Sequence, residues 1–222
     1  MKVTVVVQAR LGSRRLPNKI LMPIDGRPLL AHVLERVKLI RGIDPWVILA
    51  VPRIDRERIR LALWKDRSAF GSGGLSRVVM FSPTISEDDV LLRYVMAARF
   101  ARADALARIT ADCPLLSPDA SSLVVDRYLD GDVDYASNVG PANGWPDGWD
   151  TEVISVKALE HMNEIITDPF HREHVTTWLR MSTHSFRVAD VRSPGDRSGE
   201  KWSVDSLEDL ERVRAIVERK VA

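Results

Sequence analysis

The chain has 222 residues, 45% apolar and 28% charged, a balance that belongs to a folded globular protein and excludes a disordered one. Lys and Arg number 32 against 31 Asp and Glu, so no global pull toward nucleic acid or an anionic membrane is expected, and any anion site must come from local clustering. The single cysteine, Cys113, excludes an internal disulfide and a Cys-rich zinc site and points to the cytosol.

In chain order, the β-branched run at residues 3–7 reads as a buried first strand. It is too short for a signal peptide or a membrane span. After the Asp25-Gly26 turn, Leu29, Leu30, Val33, Leu34 and Val37 recur at helical spacing. Residues 46–51 form a second strand halted by Pro52, and 54–64 a helix with an Arg- and Glu-rich face. Residues 70–74 (FGSGG) read as a flexible break, and 78–81 as a third strand. Glu87-Asp88-Asp89 then open a helix whose apolar stripe is Val90, Leu91, Tyr94, Val95 and Ala98, the acids suiting the helix dipole. A strand at 105–110 and a helix at 119–129 follow. Strands alternating with helices imply a mostly parallel sheet covered on both faces, with ligands beyond the carboxyl ends of its strands. That rule singles out the segments after Val7 and after Thr110.

The pattern changes over residues 132–194. Gly, Pro, Asn and Trp crowd 140–149, then come a strand at 151–156, two helical stretches and an alternating strand at 185–191. The reading is one domain, 1–222, in which 132–194 is an insertion. Trp202-Ser203-Val204-Asp205 precedes a last helix starting at Ser206, where Ser206 and Asp209 have capping-box spacing.

The most informative segment is ARLGSRRLPNK, residues 9–19, which follows the first strand directly. Its backbone N–H groups, three Arg and one Lys could surround phosphates. An exposed basic loop that aids solubility fits the composition equally well. The segment is neither G-x-G-x-x-G nor a Walker A sequence. Asp112, just past a strand end, suits a divalent ion held against a triphosphate, and equally a turn carboxylate that caps the next segment. Asp150 and Glu152 alternate and could share one strand face, or sit on a solvent-facing edge strand. Arg172, Glu173 and His174 are expected half-buried at a helix start, His174 as a structural hydrogen-bonding group. Cys113, Trp145, Trp149 and Trp202 read as packing residues.

Arg10, Ser13, Arg15, Leu16, Pro17 and Lys19 match, position by position, the A-R-x-x-S-x-R-x-P-x-K loop of the cytidylyltransferases that activate sialic-type and Kdo sugars. The chain resembles most the spore-coat polysaccharide branch of that family. The likeness continues in order through Arg108 to Leu115 (RITADCPL), Pro146 to Val153 (PDGWDTEV), Arg172 to Thr176 (REHVT) and Trp202 to Asp205 (WSVD), nearly the whole chain.

The resemblance implies an α/β, Rossmann-like three-layer nucleotide-diphospho-sugar transferase fold with a mostly parallel sheet, CTP as donor, Mg2+, a small acidic acceptor and a homodimer. It makes Gln8, Ala9, Arg10, Leu11, Gly12, Ser13, Arg15, Lys19 and Asp112 nucleotide-binding, with Arg10, Arg15, Lys19 and Asp112 catalytic. Asp112 and Asp205 become metal ligands, and Asp150, Glu152 and Arg172 acceptor-binding. Residues 132–194 become the acceptor-binding and dimerisation insertion. No nucleic acid or membrane partner is implied.

Two departures stand out. Ala111 replaces the family's usual Gly, and Phe81-Ser82-Pro83-Thr84-Ile85-Ser86 replaces an Arg-Gly pair that borders the base pocket, which bears on base preference. A uridylyl- or guanylyltransferase and a non-catalytic nucleotide-binding regulator are the rival expectations.

Overall fold

A computed structural model describes residues 1–65, 77–181 and 185–221. The expected break at 70–74 lies outside the described residues.

Seven strands form the main sheet: β1 (Val3–Gln8), β4 (Val47–Ala50), β5 (Val78–Phe81), β6 (Ala105–Thr110), β7 (Tyr135–Ser137), β8 (Glu152–Ser155) and β9 (Val188–Asp190), in the order β5-β4-β1-β6-β8-β7-β9. A two-stranded ribbon, β2 (Pro23–Ile24) and β3 (Arg27–Pro28), stands apart. Pairings from β5 to β6 are parallel, β8 runs antiparallel to both β6 and β7, and β9 returns parallel to β7. Residues 132–194 therefore extend the sheet with three strands.

The helices form two layers because each strand alternates its side chains. Val3, Val5 and Val7 of β1 pack with α1 (Leu29–Val37), α2 (Arg56–Lys65), α4 (Pro118–Leu129) and α7 (Leu207–Val221). Val6 of β1 and Leu106 of β6 face the other way, toward α3 (Val90–Ala101) and α5 (Val156–Ile165). The result is three layers with an apolar core on each side of the sheet. A short helix, α6 (Pro169–His174), is followed by Val175 and Leu179, which join the core of the second layer.

Local signals act where they fall. Asp89 caps α3, accepting from Leu92 N at 3.2 Å. At α7, Ser206 Oγ accepts from Asp209 N at 3.2 Å and Asp209 Oδ2 accepts from Ser206 N at 3.0 Å, a reciprocal capping box. Among the described residues, no helix is long and apolar enough to cross a membrane.

Candidate nucleotide site

The segment after β1 leaves the sheet where β1 and β6 end side by side, Gln8 opposite Thr110. Buried anchors fix its path. Ala9 N donates to Ala50 O at 3.0 Å, Leu11 N donates to the buried carboxylate of Asp55 at 2.8 Å, and Ser13 N and Asn18 N both return to Leu11 O. Asn18 takes a left-handed conformation, φ 60°, which an Asn tolerates and which turns the chain into the 3₁₀ turn Lys19–Leu21.

The basic residues consequently rim a cleft of about 450 Å³ at the carboxyl ends of β1 and β6, lined by Gln8, Arg10, Ser13, Arg14, Arg15 and Lys19 on one side and by Arg108, Thr110 and Asp112 on the other. Ala9 and Leu11 point their side chains into the core, so they offer the cleft backbone groups at most. Gly12 packs beside the loop before α3, where an added Cβ would stand 3.1 Å from Glu87 Oε1.

Lys19 is the centre of charge. Its ammonium donates to Asp112 Oδ2 at 2.7 Å, Val204 O at 2.7 Å and Asp205 Oδ1 at 3.0 Å, and its side chain is only 10% exposed. Burial opposes the charge, yet the two carboxylates outweigh it and hold the lysine above its ordinary pKa. For Asp205, burial alone would raise the carboxyl; Lys19, Arg15 at 2.9 Å and Lys201 at 3.4 Å hold it below its ordinary value instead. Two carboxylates thus converge on one ammonium, and one or two carboxylates together with phosphate oxygens are the donor set that Mg2+ takes. Among the described residues there is no cluster of three or more His, Cys, Asp or Glu fit to hold a metal. Any ion here would depend on Asp112, Asp205 and the oxygens of a ligand.

Asp205 is delivered from far along the chain. Asp147 N donates to Glu200 O at 3.0 Å, Trp202 N to Asp147 O at 2.6 Å, and Val204 N to Asp112 O at 2.9 Å. Gly148 permits this approach. With φ +100° its backbone lies so near the 202–203 segment that a Cβ would sit 2.4 Å from Ser203 N. Trp145 donates to Val191 O, Trp149 lies under the Arg197 guanidinium, and Trp202 packs on the core, so the three tryptophans are packing residues. Cys113 is buried too, its thiol pushed up by that burial and by the nearby aspartates.

The acceptor-side expectations find different surroundings. Glu152 is turned inward: its side chain is 1% exposed, and Arg108, Arg180 at 3.2 Å and the Tyr135 hydroxyl at 2.6 Å take its oxygens. Burial would raise this carboxyl, but the two guanidiniums overcome it and lower it. Asp150 precedes β8 rather than sharing a strand with Glu152; it accepts from Gly148 N at 3.2 Å, and burial pushes its pKa up to about 6.

Arg172 is a strut. It forks onto Asp89 at 3.0 and 2.9 Å and also donates to Asn163 Oδ1 and Ile166 O, tying α3, α5 and α6 together. It lies in the last turn of α6, not at a helix start, and it is Glu173 and His174 that reach the cleft, Glu173 pairing with Arg10 at 3.1 Å. Arg108 also lines the cleft, a role the sequence reading did not give it. An arginine inside the otherwise apolar strand ALARIT was the available signal, because a buried guanidinium needs a partner and a reason.

The sequence model of the cytidylyltransferase family matches residues 4–187. The chain belongs to that family. Its members transfer a cytidylyl group, so this cytidylyltransferase is a CTP-dependent nucleotidyltransferase. It is 24% identical to the spore coat polysaccharide biosynthesis protein SpsF of Bacillus subtilis, over 98% of this chain and 87% of the relative. It is 32% identical to an 8-amino-3,8-dideoxy-manno-octulosonate cytidylyltransferase of Shewanella frigidimarina over 129 residues, 58% of this chain and 48% of that one. The solved structure of a cytidylyltransferase from Leptospira borgpetersenii superposes with a TM-score of 0.86 at 28% identity, covering 99% of this chain and 87% of the other. The Ala111 departure from the resemblance carries no strain in this cytidylyltransferase, since Ala111 is not among its positive-φ residues.

Proposed function

We propose that this cytidylyltransferase transfers CMP from CTP to a small acidic acceptor, a sugar acid, phosphonate or phosphorylated alcohol, releasing pyrophosphate with Mg2+ bound at Asp112 and Asp205. The observation that carries the reading is the convergence of Lys19, Asp112 and Asp205 beneath the Arg10, Arg14 and Arg15 rim, at the strand ends where a triphosphate fits this sheet.

In the reaction an acceptor oxygen attacks the α-phosphorus, a sugar hydroxyl losing its proton to solvent and a phosphate or phosphonate oxygen attacking as the anion. The bond from that phosphorus to the oxygen bridging to the β-phosphorus breaks, and pyrophosphate leaves with the electron pair. Loop amides and the arginines hold the β- and γ-phosphates, Lys19 sits at their base, and the closed core under the loop keeps the array rigid. Bound Mg2+ supplies charge neutralisation of the phosphates and of the leaving group. The sugar-acid part of the reading draws support from the Shewanella relative, whose name gives an octulosonate as its acceptor. A homodimer and a cytosolic location complete the reading; sedimentation tests the first, and the buried lone thiol suits the second.

The test is pyrophosphate release with CTP, Mg2+ and a panel of sugar acids, phosphonates and alcohol phosphates, with ATP, GTP and UTP as controls. CTP-specific release with one acceptor is expected, together with a fall of at least 100-fold in Asp112→Asn at unchanged melting temperature. Release with another nucleotide refutes the cytidylyl assignment, and near-normal Asp112→Asn turnover refutes the metal site.

A further inference from the structure

Arg108 and Glu152 occupy directly paired positions of β6 and β8, and both side chains lie on the α3/α5 face of the sheet, the face of Leu106 and Ile154. Glu152 is fully buried and receives Arg108, Arg180 and the Tyr135 hydroxyl. One carboxylate against two guanidiniums leaves this cluster with a formal charge of +1, carried on arginines whose side chains are 18% (Arg108) and 39% (Arg180) exposed. A guanidinium held by a buried carboxylate at the edge of a cleft is pre-set to take an anion there.

The structure also shows where that anion can enter. Arg180 turns outward beside Thr176, whereas Arg108 lines the cleft, its side chain 18% exposed and its Nε buried without a hydrogen-bond partner. Arg108 is one strand away from the phosphate loop, on the β8 side, opposite to the flank of β4 and β5. Of the other cations of the cleft, Arg10 pairs with Glu173 and Arg15 and Lys19 pair with Asp205, while Arg14 stands on the phosphate loop, across the cleft from Arg108.

We infer that Arg108 is the anchor for the anionic group of the acceptor, a carboxylate or a phosphate, and that Glu152 is the positioning residue that holds its guanidinium at the cleft floor. The inference rests on the cytidylyl-transfer reading and deepens it: the preference for an acidic acceptor resides in a strand arginine, not in Arg172. The acceptor's anion meets a fork already fixed in orientation, so little side-chain entropy is lost when it binds.

The experiment pairs each sugar acid of the acceptor panel, whose attacking hydroxyl is distinct from its carboxylate, with its neutral amide or alcohol counterpart, in wild type, Arg108→Gln and Arg108→Lys. Calorimetry of Mg-CTP and thermal melting serve as controls. Arg108→Gln leaves Glu152 its bonds to Arg180 and Tyr135, so the fold should persist. Wild type should favour the acid over its neutral counterpart. Arg108→Gln should raise the acceptor KM roughly 10- to 100-fold, with CTP affinity unchanged, and erase the preference. Arg108→Lys should recover part of it.

Equal use of acid and neutral acceptors by wild type, or a loss of CTP affinity with an unchanged acceptor KM in Arg108→Gln, overturns this assignment alone. Failure of every acceptor with wild type overturns the transfer reading, and the assignment with it.

Discussion

Lys19 shows how one residue can keep a charged site intact without its ligands. Its ammonium sits between Asp112 and Asp205 and neutralises the two carboxylates that would otherwise repel each other. Lys19→Ala should therefore lower the melting temperature in a chelating buffer, by the equivalent of about 1–3 kcal/mol, the usual effect of leaving buried polar groups unpaired. Millimolar Mg2+ should restore part of the loss while leaving wild type nearly unmoved; melting scans with and without metal check this. Asp150 gives a pH signature. Its carboxyl is pushed up to about 6 by burial and by Asp147 and Glu152, so the folded chain holds that proton more tightly than the unfolded chain, whose value is 3.8. The stability linked to it is present below about pH 4 and is lost as pH rises through about 6. Asp150→Asn should flatten that part of the melting-temperature profile between pH 4 and 6.

At the scale of elements, the segments that set the site are those whose partners lie far away in sequence. Gly148 must admit the 202–203 backbone. Gly148→Ala should destabilise by about 1–3 kcal/mol, as an overpacked and strained position does, and should weaken CTP binding by moving Asp205, both readable from urea midpoints and calorimetry. The same division explains what the sequence disclosed. Strands β5 and β6 match the expected 78–81 and 105–110, because short, mostly apolar runs state their own limits. The capping box of α7 was legible for the same local reason, whereas of the acids expected to open α3 only Asp89 meets the helix, as its N-cap, and none lies in the first turn. Glu152 and Arg172 were not, since a carboxylate in a strand and an arginine in a helix look alike whether they meet solvent, substrate or a buried partner. Only the cross-strand register puts Arg108 beside Glu152, and only tertiary packing brings Asp89 to Arg172. The 185–191 strand shortened to Val188–Asp190 at the sheet edge, where pairing on one side alone gives less reason to extend.

For the whole molecule, the sheet divides the labour of the proposed reaction. The parallel part, β5 to β6, ends in the loop that rims the cleft, and the part beyond β6 brings the Glu152 cluster to its floor. Ligand binding should therefore stiffen both parts together. Mg-CTP at 100 times its dissociation constant should add about 2.7 kcal/mol and raise the melting temperature by roughly 5–10 °C, in a single transition. Asp112→Asn should abolish that shift at the same nucleotide concentration. Asp205 adds a constraint of timing. The sheet is complete by residue 190, yet the cleft gains its second carboxylate only from residue 205, carried on the segment that pairs with Asp147 and Asp112. A ribosome-bound chain that has emerged only that far holds every strand of this sheet but only one carboxylate of the pair, so competence for the proposed chemistry waits on the segment that carries Asp205.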